Sequence, residues 1–305
     1  MIVVAGESLI DLIVGADGRV EAIPGGGPYN VARTIGRLGH PVAFLGRLST
    51  DRFGRILLDR LAADGVDCAL VQTTDAPTTL AVAELDGSGA ATYHFYLDGT
   101  AAPGLDVDGL AGGLPPSARA MHVGTLGLVL EPMATALEGL VRSVPDDVVV
   151  MADPNCRPGA TPDPAALRSR VQRIAMRADV IKVSRDDLSF LYLGVGADDA
   201  LAALLGVGPS VVLMTDADRS VRIAVRGATL DLPVPRIEVV DSVGAGDAFG
   251  GAFLGSWIGR GLGRAGLGDF DSLRPSVEFA IRVASETCRR AGAEPPTAAE
   301  MGAAV

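Results

Sequence analysis

Apolar residues come in short runs along this chain, and the runs show little of the polar alternation that marks a half-solvated strand. "IVVAG" at 2–6, "VAFLG" at 42–46, "MHVGTL" at 121–126, "VVVMAD" at 148–153, "VIKVS" at 180–184 and "VVLMT" at 211–215 read as strands covered on both faces. Between them, the stretches 28–38, 52–64, 133–143, 164–177 and 198–205 carry helical spacing. This alternation predicts an open α/β fold, a mainly parallel sheet with helices on both faces. Several runs end on a polar or acidic residue: Glu7, Asp153, Ser184, Thr215 and, after "RIEVV", Asp241. Ligands of open α/β sheets lie beyond the carboxyl ends of the strands, so these residues are expected at one cleft. Two segments break the pattern. "DLIVGADGRVEAI" and "TLAVAELDGSGAATYHFYL" alternate around Asp-Gly turns, which predicts antiparallel hairpins forming a small β lid from about 12–24 and 78–100. We read 1–305 as one domain carrying that lid, with "EPPTAAEMGAAV" as a loose tail.

Charge narrows the partners. The formal net charge of -11 over 305 residues argues against a nucleic-acid or anionic-membrane surface, since both need clustered Lys and Arg. No apolar run reaches the roughly 18 residues of a membrane span, and the start lacks a basic signal-peptide region, so a cytoplasmic protein without membrane contact is expected. Cys68, Cys156 and Cys288 are odd in number and far apart, which predicts reduced thiols rather than a disulfide framework or a zinc site. His40, His94 and His122 are equally scattered, which gives little support to a His-centred metal site or a Ser-His-Asp triad.

The richest chemistry lies in "DSVGAGDAFGGAF" at 241–253. A strand ending at Asp241, a Gly-Ala-Gly turn at 244–246 and a helix beginning near Asp247 would make an anion site from N–H groups that have no intrahelical partner. Gly244 and Gly246 permit close backbone approach, and Ala245 adds little bulk. On the residues alone, Asp247 is either a helix cap or a second functional group at that site. Phe249, Phe253 and Trp257, at i, i+4 and i+8, form a core stripe. Asn30 is either a helix-entry residue or a hydroxyl ligand; Asp11 is either a solvated residue at the root of the lid or a ligand. Asn30 and Asn155 are the only asparagines, and Lys182 is the only lysine. "GLGRAG" at 261–266 follows a helix rather than a strand, which disfavours a dinucleotide site, and the absence of G-x-x-x-x-G-K-[ST] disfavours a P-loop kinase.

"DSVGAGDAFGGAFL" resembles the C-terminal signature of the phosphofructokinase B, or ribokinase-like, family of sugar kinases, and "PGGGPYNVARTIGRLGHPVAFLGRLSTDRFG" at 24–54 resembles its N-terminal one. The likeness continues through "HVGTLGLVLEP", "DPNCRP" and "RRAGAEPP", and "YHFYLDGTAA" is similar to the lid of fructokinase-like members. The resemblance implies a ribokinase-like fold and transfer of the γ-phosphoryl group of MgATP to a hydroxyl of a small sugar. By position it implies Asp247 as general base, the N–H groups from Val243 through Gly244, Ala245 and Gly246 as an anion hole, and Asp11, Gly26, Gly27 and Asn30 as sugar ligands. That division suits the chemistry: phosphoryl transfer needs charge stabilised on the moving group and a carboxylate to orient the attacking hydroxyl. The resemblance further implies Lys182, Ser184, Thr215, Gly244 and Gly246 at the ATP, and Asp187 at Mg²⁺ through water. It implies a loop for a monovalent cation such as K⁺ near Asp241, Val243, Thr287, Arg290 and Gly292.

Three departures from the family pattern bear on the ligands. "IKVSRDDL" has Ser184 and Asp187 where Asn-x-x-Glu is usual, and Ser-x-x-Asp is also a variant capping box; both roles can hold at once. "MTDADRSVRI" keeps Thr215 of Thr-x-Gly-x-x-Gly but puts Asp216, Asp218 and Arg219 where glycine is expected, leaving open altered nucleotide binding or a shortened turn without consequence. Leu97 stands where many such lids carry an arginine, which points to a neutral sugar rather than a sugar acid or sugar phosphate. Arg157 is either a partial substitute for that arginine, on the substrate, or a surface ion-pair partner. Alternatives within the class are a nucleoside or 2-keto-3-deoxygluconate kinase; from another class, a non-catalytic sugar or nucleotide sensor. Exposed lid strands suggest a homodimer through the lid.

Overall fold

The strand-forming runs are apolar throughout because both faces of the sheet they build are covered. The computed structural model describes residues 1–87, 91–107 and 113–302. The chain opens with β1 (Ile2–Ala5), β2 (Leu9–Val14), β3 (Val20–Gly25), α1 (Gly27–Arg37), β4 (Val42–Leu45), β5 (Arg47–Ser49), α2 (Arg52–Ala63) and β6 (Gln72–Thr74). Next come β7 (Leu80–Leu85), β8 (Ala91–Tyr96), β9 (Ala120–Gly124), α3 (Met133–Ser143), β10 (Val149–Asp153), α4 (Pro164–Ala175), β11 (Val180–Ser184) and α5 (Arg185–Leu191). The last elements are α6 (Ala197–Val207), β12 (Val211–Asp216), β13 (Ser220–Val225), β14 (Ala228–Pro233), α7 (Ala245–Gly259) and α8 (Phe270–Cys288).

Eight strands form the main sheet in the order β14-β13-β12-β11-β10-β9-β1-β4. Pairing is parallel from β4 to β12, and the hairpin β13–β14 adds an antiparallel edge. Ile2 and Val4 join an apolar layer with α1, α2, α7 and α8, whereas Val3 and Ala5 join the opposite layer with α3, α4, α5 and α6. Phe249, Phe253 and Trp257 are buried in the first layer, as their spacing predicts. Because the inner strands run parallel, Glu7, Thr125, Asp153 and Ser184 all follow or close strands at the same edge of the sheet.

The two expected hairpins are present and join through a parallel β2–β7 contact into one four-stranded lid, β3-β2-β7-β8. The tip of the second hairpin, 88–90, lies outside the described residues. Leu9 and Ala81 of the lid meet Leu126 and Ala160 of the body, with Phe95 and Leu97 packed alongside.

Two expectations are corrected. No strand precedes Asp241: residues 234–240 are irregular and largely exposed. The N–H groups of Val240 and Asp241 do not enter a ladder but share the Cys288 carbonyl, at 2.9 and 3.2 Å. Nor is the C-terminal segment loose as far as it is described. Ala298 is buried, its N–H donates to the Arg37 carbonyl at 2.9 Å, and Glu294 pairs with Arg33 and Arg60. Among the described residues, no helix is long and apolar enough to cross a membrane.

Candidate active site

Two helix N-termini meet at the carboxyl edge of the sheet. α1 starts after Gly26, at φ 110°, and α7 starts after Gly244, at φ 75°; neither cap residue supplies a side-chain acceptor. Any side chain at Gly244 would also collide with Ala293. The Ala245 N–H turns back to the Ser242 carbonyl at 3.3 Å, and the next two N–H groups of α7, those of Gly246 and Asp247, have no partner among the described residues and are left for a ligand, with the positive end of the helix behind them. The helices approach closely at Gly251, where a Cβ would stand 2.9 Å from the Val31 carbonyl oxygen. That contact brings Asn30, in the first turn of α1, to Asp247, in the first turn of α7.

Both carboxylate oxygens of Asp247 are held by amides. Asn30 Nδ2 donates to Oδ2 at 3.0 Å, and Asn155 Nδ2 donates to Oδ1 at 3.4 Å. Asn155 follows β10 in a left-handed conformation, φ 38°, and the same Nδ2 also donates to Thr125 Oγ1 at 3.2 Å. Asn30 Oδ1 is buried without a partner. Burial pushes the Asp247 carboxyl up to about 6, while the Asn30 hydrogen bond and the Lys182 charge pull the other way.

Lys182 is buried in a salt bridge to Asp153 at 2.8 Å. Burial opposes its ammonium, but Asp153 and Asp187 outweigh burial and hold it above the ordinary lysine value. Its Nζ lies 2.9 Å from where a Cβ on Gly246 would stand, so the single lysine sits directly beneath the Gly-Ala-Gly turn. Beside α1, Glu7 is fully buried and accepts from Gly27 N at 3.0 Å and Gly127 N at 2.8 Å; burial pushes it up to about 8.

On the lid, Asp11 of β2 lies against Gly25, where any side chain would overlap its carboxylate. Burial raises Asp11 to about 6, and the charge of Arg157 opposes that rise. Arg157 itself is exposed and donates to the Asn155 and Cys156 carbonyls at 3.3 and 3.2 Å.

Ser184 and Asp187 form a reciprocal capping box at the start of α5. Asp187 also accepts from Cys156 N at 2.6 Å, so both of its oxygens are occupied by protein donors. Thr215, the penultimate residue of β12, pairs with Ser184 and donates to the Val183 carbonyl at 3.5 Å. The altered turn after it is a tight hairpin: Asp216 pairs with Ser220, Ala217 takes a left-handed φ of 47°, and Asp216 forms a salt bridge with Arg185 at 2.8 Å.

Asp241 closes the loop expected for a monovalent cation, accepting from Val243 N at 3.0 Å and Gly292 N at 2.9 Å. Arg290 donates its N–H to the Thr287 carbonyl, and its guanidinium pairs with Glu300. Among the described residues, no group of three or more His, Cys, Asp or Glu forms a site able to hold a metal ion on its own.

The fold thus gathers Asp247, Asn30, Lys182 and the 244–246 turn tightly, with Asp11 and Arg157 across the opening. Thr125 and Glu7 join them without having been singled out as ligands; Asn155 stood out only as one of two asparagines. In the row expected as an anion hole, the Val243 N–H is taken by Asp241 and the Ala245 N–H by the Ser242 carbonyl at 3.3 Å, so the N–H groups of Gly244 and Gly246, which have no partner among the described residues, lie open beside an ionisable carboxylate; they can stabilise charge while it orients a hydroxyl.

A model described as pfkB family carbohydrate kinase matches residues 1–299. A fructokinase of Rhizobium leguminosarum bv. trifolii is 35% identical over 255 residues, covering 82% of this chain and 77% of the relative. Fructokinase-1 of Zea mays is 33% identical over 314 residues, covering 99% and 96%. The crystal structure of a fructokinase from Xylella fastidiosa with bound ATP superposes with a TM-score of 0.87 at 30% identity, covering 96% of this chain and 93% of that one. The architecture is ribokinase-like, and the chain belongs to the pfkB family of carbohydrate kinases.

Proposed function

We propose that this kinase transfers the γ-phosphoryl group of MgATP to a hydroxyl of a small neutral sugar, with fructose as the first acceptor to test. The observation that carries the reading is Asp247: both oxygens are amide-bound, the carboxyl is buried yet ionises near 6, and it lies just past the Gly244–Gly246 turn. The acceptor hydroxyl donates to Asp247 and passes its proton there as the new O–P bond forms and the γ-phosphorus separates from the bridging oxygen of ADP. The N–H groups of Gly244 and Gly246 receive the charge of the moving group, and Lys182 beneath the turn adds a cation. Asn30 Oδ1, buried without a partner, is an acceptor for a sugar hydroxyl, and Asp11 supplies another from the lid.

Magnesium bound with the nucleotide neutralises phosphate charge. With its oxygens occupied, Asp187 fits a water-mediated contact to that ion and no direct bond. Leu97, packed under the lid where an arginine would recognise an anion, supports a neutral acceptor. The names of the relatives support fructose, and the Xylella fastidiosa structure supports ATP. We assign a potassium ion to the loop closed by Asp241, a homodimer contact to the lid, and a cytoplasmic setting to the three free cysteines.

An ADP-release assay over fructose, other neutral sugars, nucleosides and 2-keto-3-deoxygluconate, run in potassium and in a large organic cation, tests this reading. Fructose should turn over fastest, and Asp247→Ala should lower kcat by about 10² or more while the protein stays folded. Preference for a nucleoside or a sugar acid would reassign the acceptor. Near-normal turnover by Asp247→Ala would refute the mechanism.

A further inference from the structure

We propose that Glu7 is a positioning residue for the reaction: its buried carboxyl sets the spacing between the two asparagines that clamp Asp247. The proposal rests on Asp247 being the base. The two clamps belong to separate parts of the fold, Asn30 to α1 and Asn155 to the segment after β10. Glu7 touches the origin of both. Oε1 accepts from the N–H of Gly27, the first residue of α1, three residues before Asn30. Oε2 accepts from the N–H of Gly127, in the short turn Thr125–Leu128, whose first residue accepts the Asn155 amide. The two origins also abut, since a side chain on Gly27 would overlap Thr125.

Glu7 has no exposure to the cleft. It therefore acts through the asparagines and is not itself catalytic. A carboxyl removed from water is costly; its own backbone N–H and the N–H groups of Gly127 and Gly27, from two different elements, offset that cost here. Its planar pair of acceptors fixes their separation within hydrogen-bond tolerance. Asp247 is the charged group whose field reaches it. The Asn30 hydrogen bond is one of the forces holding the Asp247 carboxyl down against burial. If the start of α1 drifts, that bond lengthens, and the base both loses aim and becomes harder to ionise.

Glu7→Gln keeps the shape but replaces an oxygen, which can accept from a backbone N–H whether or not it carries a proton, by an NH2 group that cannot accept. We expect kcat to fall about tenfold or more, on the scale of a misplaced catalytic group, with KM for ATP little changed. The acid limb of kcat should also move to higher pH, which a loss of stability alone would not produce. Thr125→Ala removes the other end of the bridge without touching a buried carboxyl and should reproduce both effects. Combining the two should cost less than the product of the single losses.

A wild-type kcat and an unmoved acid limb in folded Glu7→Gln would overturn the proposal. If Glu7→Gln does not fold, the same null outcome in Thr125→Ala overturns it. Loss of activity in Asp247→Ala together with intact Glu7→Gln would sink this inference alone. An active Asp247→Ala would sink the parent reading instead.

Discussion

Asp247 is a carboxylate that the fold withdraws from water without neutralising. Burial raises it to about 6, and Asn30 and Lys182 stop it rising further, so at neutral pH it is ionised and can take a proton. The expected consequence is an acid limb: kcat/KM should be flat above about pH 7 and fall roughly tenfold per unit below about 6, as protonated Asp247 ceases to act. A rate profile that stays flat to pH 5 would mean that another group takes the proton. Asp247, Asn30 and Lys182 were legible in the sequence because two residue types are so scarce and because the Gly-Ala-Gly turn marks a helix start. Glu7 was legible only as a polar strand end. Its partners are backbone N–H groups, which every residue but proline carries, so no residue type announces them.

Elements are placed by contacts that span the chain. Arg33 of α1 is 1% exposed and bonds Asp64 at 2.6 Å, Glu294 at 3.0 Å and the Ala293 carbonyl at 2.9 Å. Arg37 also reaches Asp64, at 2.9 Å, and Arg60 pairs with Glu294. This network fastens the C-terminal segment to α1 and holds Ala293 against Gly244, the cap of α7. Removing one member of a buried pair leaves its partner undercompensated, so Arg33→Met should lower stability by about 3 kcal/mol, read as a shift in urea midpoint. A loss under about 1 kcal/mol would mean that Arg37 and Arg60 suffice.

The same contacts explain what sequence patterning missed. The inner strands were plain from their apolar runs, but the docking of the C-terminal segment depends on residues more than 200 positions away, and nothing local encodes it. The hairpin strands β13 and β14 were not anticipated: β13 alternates half-buried and buried positions only in its first half, and β14, at the sheet edge, is largely exposed. An apolar run before Asp241 suggested a strand, but its last N–H groups are taken by the Cys288 carbonyl at the end of α8, a partner that nothing local encodes. Helix α8, absent from the expected helices, carries Pro275 inside it.

At the scale of the whole molecule, the active cleft is a reservoir of unfavourable ionisation. A carboxyl moved from 3.8 to about 6 withholds about 3 kcal/mol from the folded state at neutral pH. The sign follows from proton counts. Between these two values, the folded chain keeps a proton that the unfolded chain releases, so stability falls as pH rises through the window and levels off above about 6. The proposed mechanism needs the opposite condition, the ionised carboxylate. Asp247→Asn separates the two demands, because the amide has the shape of the carboxylic acid and no charge to bury. Asn30 can serve it by turning its partnerless Oδ1 toward the new donor. The variant should therefore be more stable than the parent by about 2–3 kcal/mol at pH 7.5, and indistinguishable from it at pH 3.5 if both remain folded there. It should also be catalytically poor at either pH. Contributions from Glu7, Asp11 and the net charge of the chain largely cancel in that difference. Paired urea titrations at the two pH values measure it directly. An advantage of equal size at both would show that the gain comes from packing and not from ionisation, and would remove the basis for treating Asp247 as a buried charge kept for catalysis.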